Sequence, residues 1–151
     1  MELSHEIDLL NYLFSTPRVV FSQNGKYSNL SIDVEDNAVV LFDFYDCHKI
    51  LGKLEMSMSS VRNQRNILVQ YDQETLELNL LTENISIYNT YKQEQDISLP
   101  SGGKDYTYLQ QLKDISVRMA NGERPNCSIY EGNEVLEFIE NIKNFKIGVN
   151  N

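Results

Sequence analysis

The chain has 151 residues, 41% of them hydrophobic and 10% aromatic, which is enough for one domain to bury a substantial core without disulfide or metal staples. Its 22 acidic residues outnumber 13 basic ones, giving a net charge of −9 and a pI near 4.6. That balance opposes nucleic-acid binding, which needs clustered Lys and Arg to displace phosphate counterions; the densest basic grouping, Lys53, Arg62 and Arg65, is thin.

Residues 1–14 read as a helix. Ile7, Leu10 and Phe14 recur at three and four, with Leu3 and Leu13 close to the same stripe. His5 and Asp8 stand three apart and share a face, where a carboxylate can orient an imidazole and hold its charged form. A purely structural role for the pair is also open: His5 capping the helix start, and Asp8 favouring its first turns through the helix dipole. Thr16-Pro17 stops the helical pattern, because proline disfavours helix in the residue before it.

Residues 18–22 are β-branched and aromatic and read as a strand, followed by a polar loop from Asn24-Gly25 to Asn29. Strands are expected at 38–45 and 49–57, joined by a turn at Asp46-Cys47-His48. In the second of these Ile50, Leu54 and Met56 alternate with Leu51, Lys53 and Glu55, so one face is mainly apolar. A hairpin is expected over 65–71 and 75–80, with Leu76, Leu78 and Leu80 on one face and Glu77 and Asn79 on the other. Residues 85–88 form a further strand, and 90–104 read as a polar loop. Tyr108, Leu109, Leu112, Ile115 and Met119 mark a helix ending near Asn121-Gly122. Val135, Leu136, Ile139 and Ile142 mark the last helix, before a frayed tail from Lys146. A helix, a run of neighbouring strands and two helices make an α+β fold: a largely antiparallel open sheet with helices packed on one face, in a single domain over 1–151.

Cys47 and Cys127 form no disulfide framework, and neither lies in a CxxC or has a metal-ligand partner beyond the adjacent His48. No metal site is expected. The sequence shows no signal peptide and no apolar run long enough for a bilayer, so no membrane association and a reducing cytoplasmic location are expected. Arg62 and Arg65 carry guanidinium forks that suit a phosphate or carboxylate, against the alternative of an ordinary solvated loop.

Ser4-His5-Glu6-Ile7-Asp8-Leu9-Leu10 followed by Tyr12-Leu13-Phe14 resembles the S-H-x-I-D-x-L-x-x-L-F/L segment of the Gfo/Idh/MocA oxidoreductases, the glucose–fructose oxidoreductase and inositol dehydrogenase family. The resemblance continues in order through Val34-Glu35-Asp36-Asn37-Ala38-Val39-Val40-Leu41-Phe42, then Asn84-Ile85-Ser86-Ile87-Tyr88. It ends in Gly122-Glu123-Arg124-Pro125 and Val135-Leu136-Glu137-Phe138-Ile139-Glu140. It covers almost the whole chain, but only the family's C-terminal domain.

The resemblance implies a domain that presents a substrate pocket to a nicotinamide cofactor held by an N-terminal Rossmann domain. It places His5 at the family's catalytic histidine and Asp8 at its acidic, substrate hydroxyl-binding partner. It further implies NAD or NADP for the full-length parent, a sugar, sugar derivative or cyclitol as substrate, and homo-oligomerisation through the open sheet face. No G-x-G-x-x-G spacing and no E-K-P lysine segment occur among these residues, so no cofactor site is expected in this chain, which alone should be inactive. Many family members carry Asp four residues before the histidine; here that position is Met1, as though the sequence started inside a larger enzyme. The alternative is a stand-alone, non-catalytic dimerisation or ligand-binding module derived from such a domain.

Overall fold

A computed structural model describes residues 4–44, 50–91, 94–98, 102–125 and 128–146; Met1, Glu2, Cys47, His48, Cys127 and the end of the tail lie outside them. The expected turn at 46–48 therefore falls outside as well. The chain divides into two compact units, one of residues 1–60 with 124–151 and one of residues 61–123.

The first unit holds helix α1 (Ser4–Phe14), strands β1 (Arg18–Gly25), β2 (Asn37–Asp43) and β3 (Leu51–Ser57), and the C-terminal helix. The three strands form an antiparallel sheet in the order β1-β2-β3. Along β2, Ala38, Val40 and Phe42 are buried while Val39 faces out, the period-two alternation of a sheet with one covered face. The cover comes from helices at both ends of the sequence. Ile7 of α1 and Val135, Phe138 and Ile142 of the C-terminal helix close over Val40, Phe42 and Phe44 in one cluster. Phe44 meets Phe42 edge-on with ring centroids 5.8 Å apart and Phe14 at 6.1 Å. Gly52 stands opposite Phe42 in register, and the Phe42 ring occupies the space a side chain there would take.

Helix α1 stops where the sequence says it should. The Ser15 amide donates to the Asn11 carbonyl at 2.9 Å, Ser15 turns left-handed at φ 79°, and Pro17 follows. The C-terminal helix begins with a capping box, in which Ser128 and Glu131 satisfy each other's backbone amides. At its far end the Asn24 side-chain amide donates to the Ile142 carbonyl at 2.9 Å, tying the helix to β1.

The segment 26–37 is organised by Asp36, only 2% exposed. Its carboxylate accepts from the backbone amides of Tyr27 at 2.7 Å and Ser28 at 2.9 Å, from the Ser28 hydroxyl, and from the Asn37 side chain at 2.8 Å. Its own amide donates to Gly25, and its carbonyl accepts from Met58 at 2.8 Å, so it joins the end of β1 to the end of β3. These donors, the Ser28 hydroxyl first, hold the Asp36 carboxyl well below the usual carboxylate range.

The second unit contains β4 (Asn66–Gln70), β5 (Glu74–Asn79), β6 (Asn84–Asn89), β7 (Glu94–Ser98) and α2 (Gly103–Asn121), which precedes the C-terminal helix α3 (Ile129–Asn144) of the first unit. Its strands form a four-stranded antiparallel sheet in sequence order. The register sets Ile67 against Leu78, Leu78 against Ile85, and Ile85 against Ile97, with Val69, Leu76 and Ile87 aligned beside them. One face is thus continuously aliphatic, while Glu77, Ser86 and Asp96 share the other. None of this unit's described residues is fully buried. Helix α2 ends at Gly122, left-handed at φ 71°, as the Asn121-Gly122 signal requires.

The α+β class holds, with one N-terminal and two C-terminal helices, and the strands divide between two antiparallel sheets of three and four. Two local expectations fail. Strand β1 runs on to Gly25, because its pairing with β2 continues to Asn37. The polar stretch after Thr90 is not all loop: residues 94–98 pair with β6 as β7, an edge strand that needs little apolar content.

Phe138→Ala is expected to cost about 3–5 kcal/mol in urea unfolding, the usual range for emptying a buried aromatic site, whereas Leu136→Ala, 59% exposed one turn-face away, should change stability by less than about 0.5 kcal/mol. Because the Asp36 pKa is depressed on folding, its contribution is complete above the unfolded-state value of about 3.9 and is lost as pH falls below it. Asp36→Ala should therefore lower Tm at pH 7 and flatten the fall in Tm on acidification below about pH 4; an unchanged acid limb would show that other carboxylates set it.

Candidate functional site

Successive helical residues are offset by about 100°, so α1 presents two distinct i, i+3, i+7 stripes. Ile7, Leu10 and Phe14 form one, and all three belong to or pack on the core of the first unit. His5, Asp8 and Tyr12 form the other, within an arc of about 60° on the opposite side of the helix. All three are exposed, Tyr12 to 80%. Among the described residues none of their side chains enters a hydrogen bond or ion pair. The core stripe is consumed by folding; the outer stripe is left facing away from it.

His5 and Asp8 are thus brought onto one exposed face, as their spacing requires, one turn apart and with no intervening bulk. An imidazole and a carboxylate so placed can share a hydroxyl group of a bound molecule, the ring taking a proton and the carboxylate accepting a hydrogen bond from a neighbouring hydroxyl. Tyr12 completes the stripe. In the sequence it stands out only as part of the helix motif, although its place seven residues after His5 is enough to put it on the same face.

Arg62 and Arg65 belong to the second unit, on the exposed segment leading into β4, and each already has interaction partners. The Arg65 carbonyl accepts from the Leu80 amide at 2.8 Å, which closes the hairpin end of β4 and β5. Lys53, the other member of the basic grouping, pairs with Glu55 at 2.9 Å on the surface of β3.

A separate concavity of about 440 Å³ in the first unit is lined by Lys26, Ile32, Asp33, Val34, Glu35 and Lys143. Lys26, Glu35 and Lys143 are engaged with the protein itself. Lys143 meets Glu35 at 3.1 Å, and Lys26 donates to the Ile32 carbonyl at 2.6 Å. A backbone hydrogen bond and Lys143 hold the Glu35 carboxyl below its ordinary pKa, as expected for a group already serving as an ion-pair partner. Among the described residues no group of three or more His, Cys, Asp or Glu side chains converges as a metal site would require, and no helix is long and apolar enough to cross a membrane.

No protein-family model matches the sequence, and no curated protein sequence matches it either. Solved structures do. UDP-N-acetylglucosamine 3-dehydrogenase GnnA from Acidithiobacillus ferrooxidans superposes with a TM-score of 0.76 at 15% identity, over 93% of this chain and 44% of that one. Biliverdin reductase from Synechocystis, solved with biliverdin and NADP+, gives a TM-score of 0.70 at 15% identity, over 93% of this chain and 43% of that one. The WlbA dehydrogenase from Bordetella pertussis, solved with NADH and UDP-GlcNAcA, gives 0.59 at 14% identity, over 94% and 40%. The chain therefore has the fold of less than half of each of these oxidoreductases.

Proposed function

We propose that this chain is the C-terminal substrate-pocket and oligomerisation domain of a Gfo/Idh/MocA-type, NAD(P)-dependent oxidoreductase acting on a sugar, sugar derivative or cyclitol. The observation that carries it is the exposed His5–Asp8 pair, held rigidly by a helix whose opposite face is core. That pair sits in the segment most like the family's catalytic helix, on a fold shared with dehydrogenases of sugar nucleotides.

The imidazole of His5 takes the proton of the substrate hydroxyl, while the nicotinamide held by the remainder of the parent would accept the hydride from its carbon. Asp8 accepts a hydrogen bond from an adjacent hydroxyl and favours the imidazolium electrostatically once it forms. Arg62 and Arg65 lie in the second unit, and their guanidinium forks suit a phosphate or carboxylate group. A dinucleotide needs a parallel strand, a glycine-rich turn and a helix N-terminus. The described strands here pair antiparallel throughout, so these residues do not fit NAD or NADP, and the proposal places the cofactor on the remainder of the parent. The acidic surface accords with a cytoplasmic enzyme.

The oligomer part has separate support. The aliphatic face Ile67, Leu78, Ile85 and Ile97 is continuous across four strands, in a unit with no fully buried residue among those described. An aliphatic sheet face of this kind is stabilised by apolar cover, and a second copy supplies it symmetrically.

In the full natural chain, assayed over a panel of sugars, cyclitols and nucleotide sugars, His5→Ala should lower turnover by about a hundredfold or more, the scale of losing an acid–base group. Indifference to that substitution, or a natural chain without a dinucleotide-binding half, would leave the non-catalytic module in its place. Ile85→Arg, at the centre of the aliphatic face, should shift a dimer to monomer in sedimentation velocity; a wild type that is monomeric at all concentrations removes the oligomer assignment.

A further inference from the structure

Tyr12 stands on the outer stripe of α1, and the packing of its own unit does not use it. A tyrosine at 80% exposure on a helix whose core positions are Ile7, Leu10 and Phe14 adds nothing to the core of the first unit. Its hydroxyl joins no hydrogen bond among the described residues. Its location is nevertheless fixed by the same backbone that positions His5 and Asp8, one turn beyond Asp8 and about 10 Å along the axis from His5.

We infer that Tyr12 is a substrate-binding residue of this site, an aromatic platform on which the C–H-rich face of a sugar or cyclitol ring lies while its hydroxyls reach Asp8 and His5. The inference rests on the reading of His5 and Asp8 given above and deepens it by naming what selects the substrate's shape. A saturated six-membered polyol presents two kinds of surface. Its rim carries hydroxyls, which want a carboxylate and an imidazole; its axial C–H face is weakly positive and packs on the negative face of an aromatic ring. The stripe offers the complementary groups in a line: base, acceptor and ring. The phenol ring brings large contact area with few rotatable bonds, so ordering it on binding costs little. An open-chain polyol has no flat C–H face and gains nothing from the ring, so Tyr12 discriminates cyclic from acyclic substrates.

The test is steady-state kinetics of the full natural chain with its best cyclic substrate, comparing Tyr12→Ala, Tyr12→Phe and His5→Ala, with Tm recorded for each. Tyr12→Ala should raise KM about tenfold or more with kcat within about threefold of wild type and Tm unchanged, and Tyr12→Phe should restore KM, because the ring and not the hydroxyl makes the contact. The preference for cyclic over acyclic polyols should shrink in Tyr12→Ala by the same factor. An unchanged KM in Tyr12→Ala, a Phe variant as impaired as Ala, or a Tm falling with the activity would overturn the assignment. If His5→Ala retains full turnover, the oxidoreductase reading itself fails, a result distinct from any of these.

Discussion

Everything at the candidate site depends on the burial of one side of α1. The helix has 11 residues, short of the length at which an isolated helix is stable in water. It exists because Ile7, fully buried, locks against Val40, Phe138 and Ile142, with Leu10 and Phe14 packed at the edge of the cluster. Each fully buried aliphatic or aromatic side chain contributes about 1.5–3 kcal/mol, the order of the cost of fixing one or two residues of backbone. Helical periodicity then does the rest, because fixing the inner stripe fixes the azimuth of the outer one. His5, Asp8 and Tyr12 thereby leave the helix on one common side, set by packing on the far side of its backbone.

The same economy explains why α3, which comes from the other end of the sequence, belongs with α1. Val135, Phe138 and Ile142 supply the second half of the clamp, and the Ser128–Glu131 capping box and the Asn24 contact to the Ile142 carbonyl secure α3 at both ends. Asp36 plays the corresponding role for the connection between β1 and β2. It gathers four donors onto one carboxylate, and by pinning the ends of β1 and β3 it keeps the sheet in the register that buries Val40 and Phe42. Loss of either device would act on the site indirectly, by loosening the floor under α1.

How much of this was legible in the sequence depends on whether the signal is local. The apolar stripe of α1, the alternation along β3, the helix end at Asn121-Gly122 and the aliphatic face of β5 are all signals within a few residues, and they read correctly. Strand β7 was not legible because Glu94-Gln95-Asp96-Ile97-Ser98 has the composition of a loop; only its pairing with β6, an interaction with residues about ten positions away, makes it a strand. The Asp36 cluster was hidden for the same reason. Asp36 appears in the sequence as one polar residue before a strand, and the donors that surround it are set by how the 26–37 segment closes. The division of the strands into sheets of three and four likewise follows from pairing partners that composition does not encode.

The separation of roles within the chain carries a functional consequence. The unit that holds α1 has a well-formed core, whereas the unit that holds Arg62, Arg65 and the four-stranded sheet has an aliphatic face and no fully buried residue among those described. Under the proposed function His5 needs placement to within a fraction of an ångström, and it belongs to the unit with the formed core. Under the same proposal the aliphatic face is the surface shared with another copy, and association would supply the apolar cover the unit lacks. On that division of labour, substitutions in the α1–α3 clamp should act on chemistry through geometry, and substitutions on the aliphatic sheet face should act on assembly. The two classes are separable because Ile7, Phe138 and Ile142 share no residues with the face built from Ile67, Leu78 and Ile85.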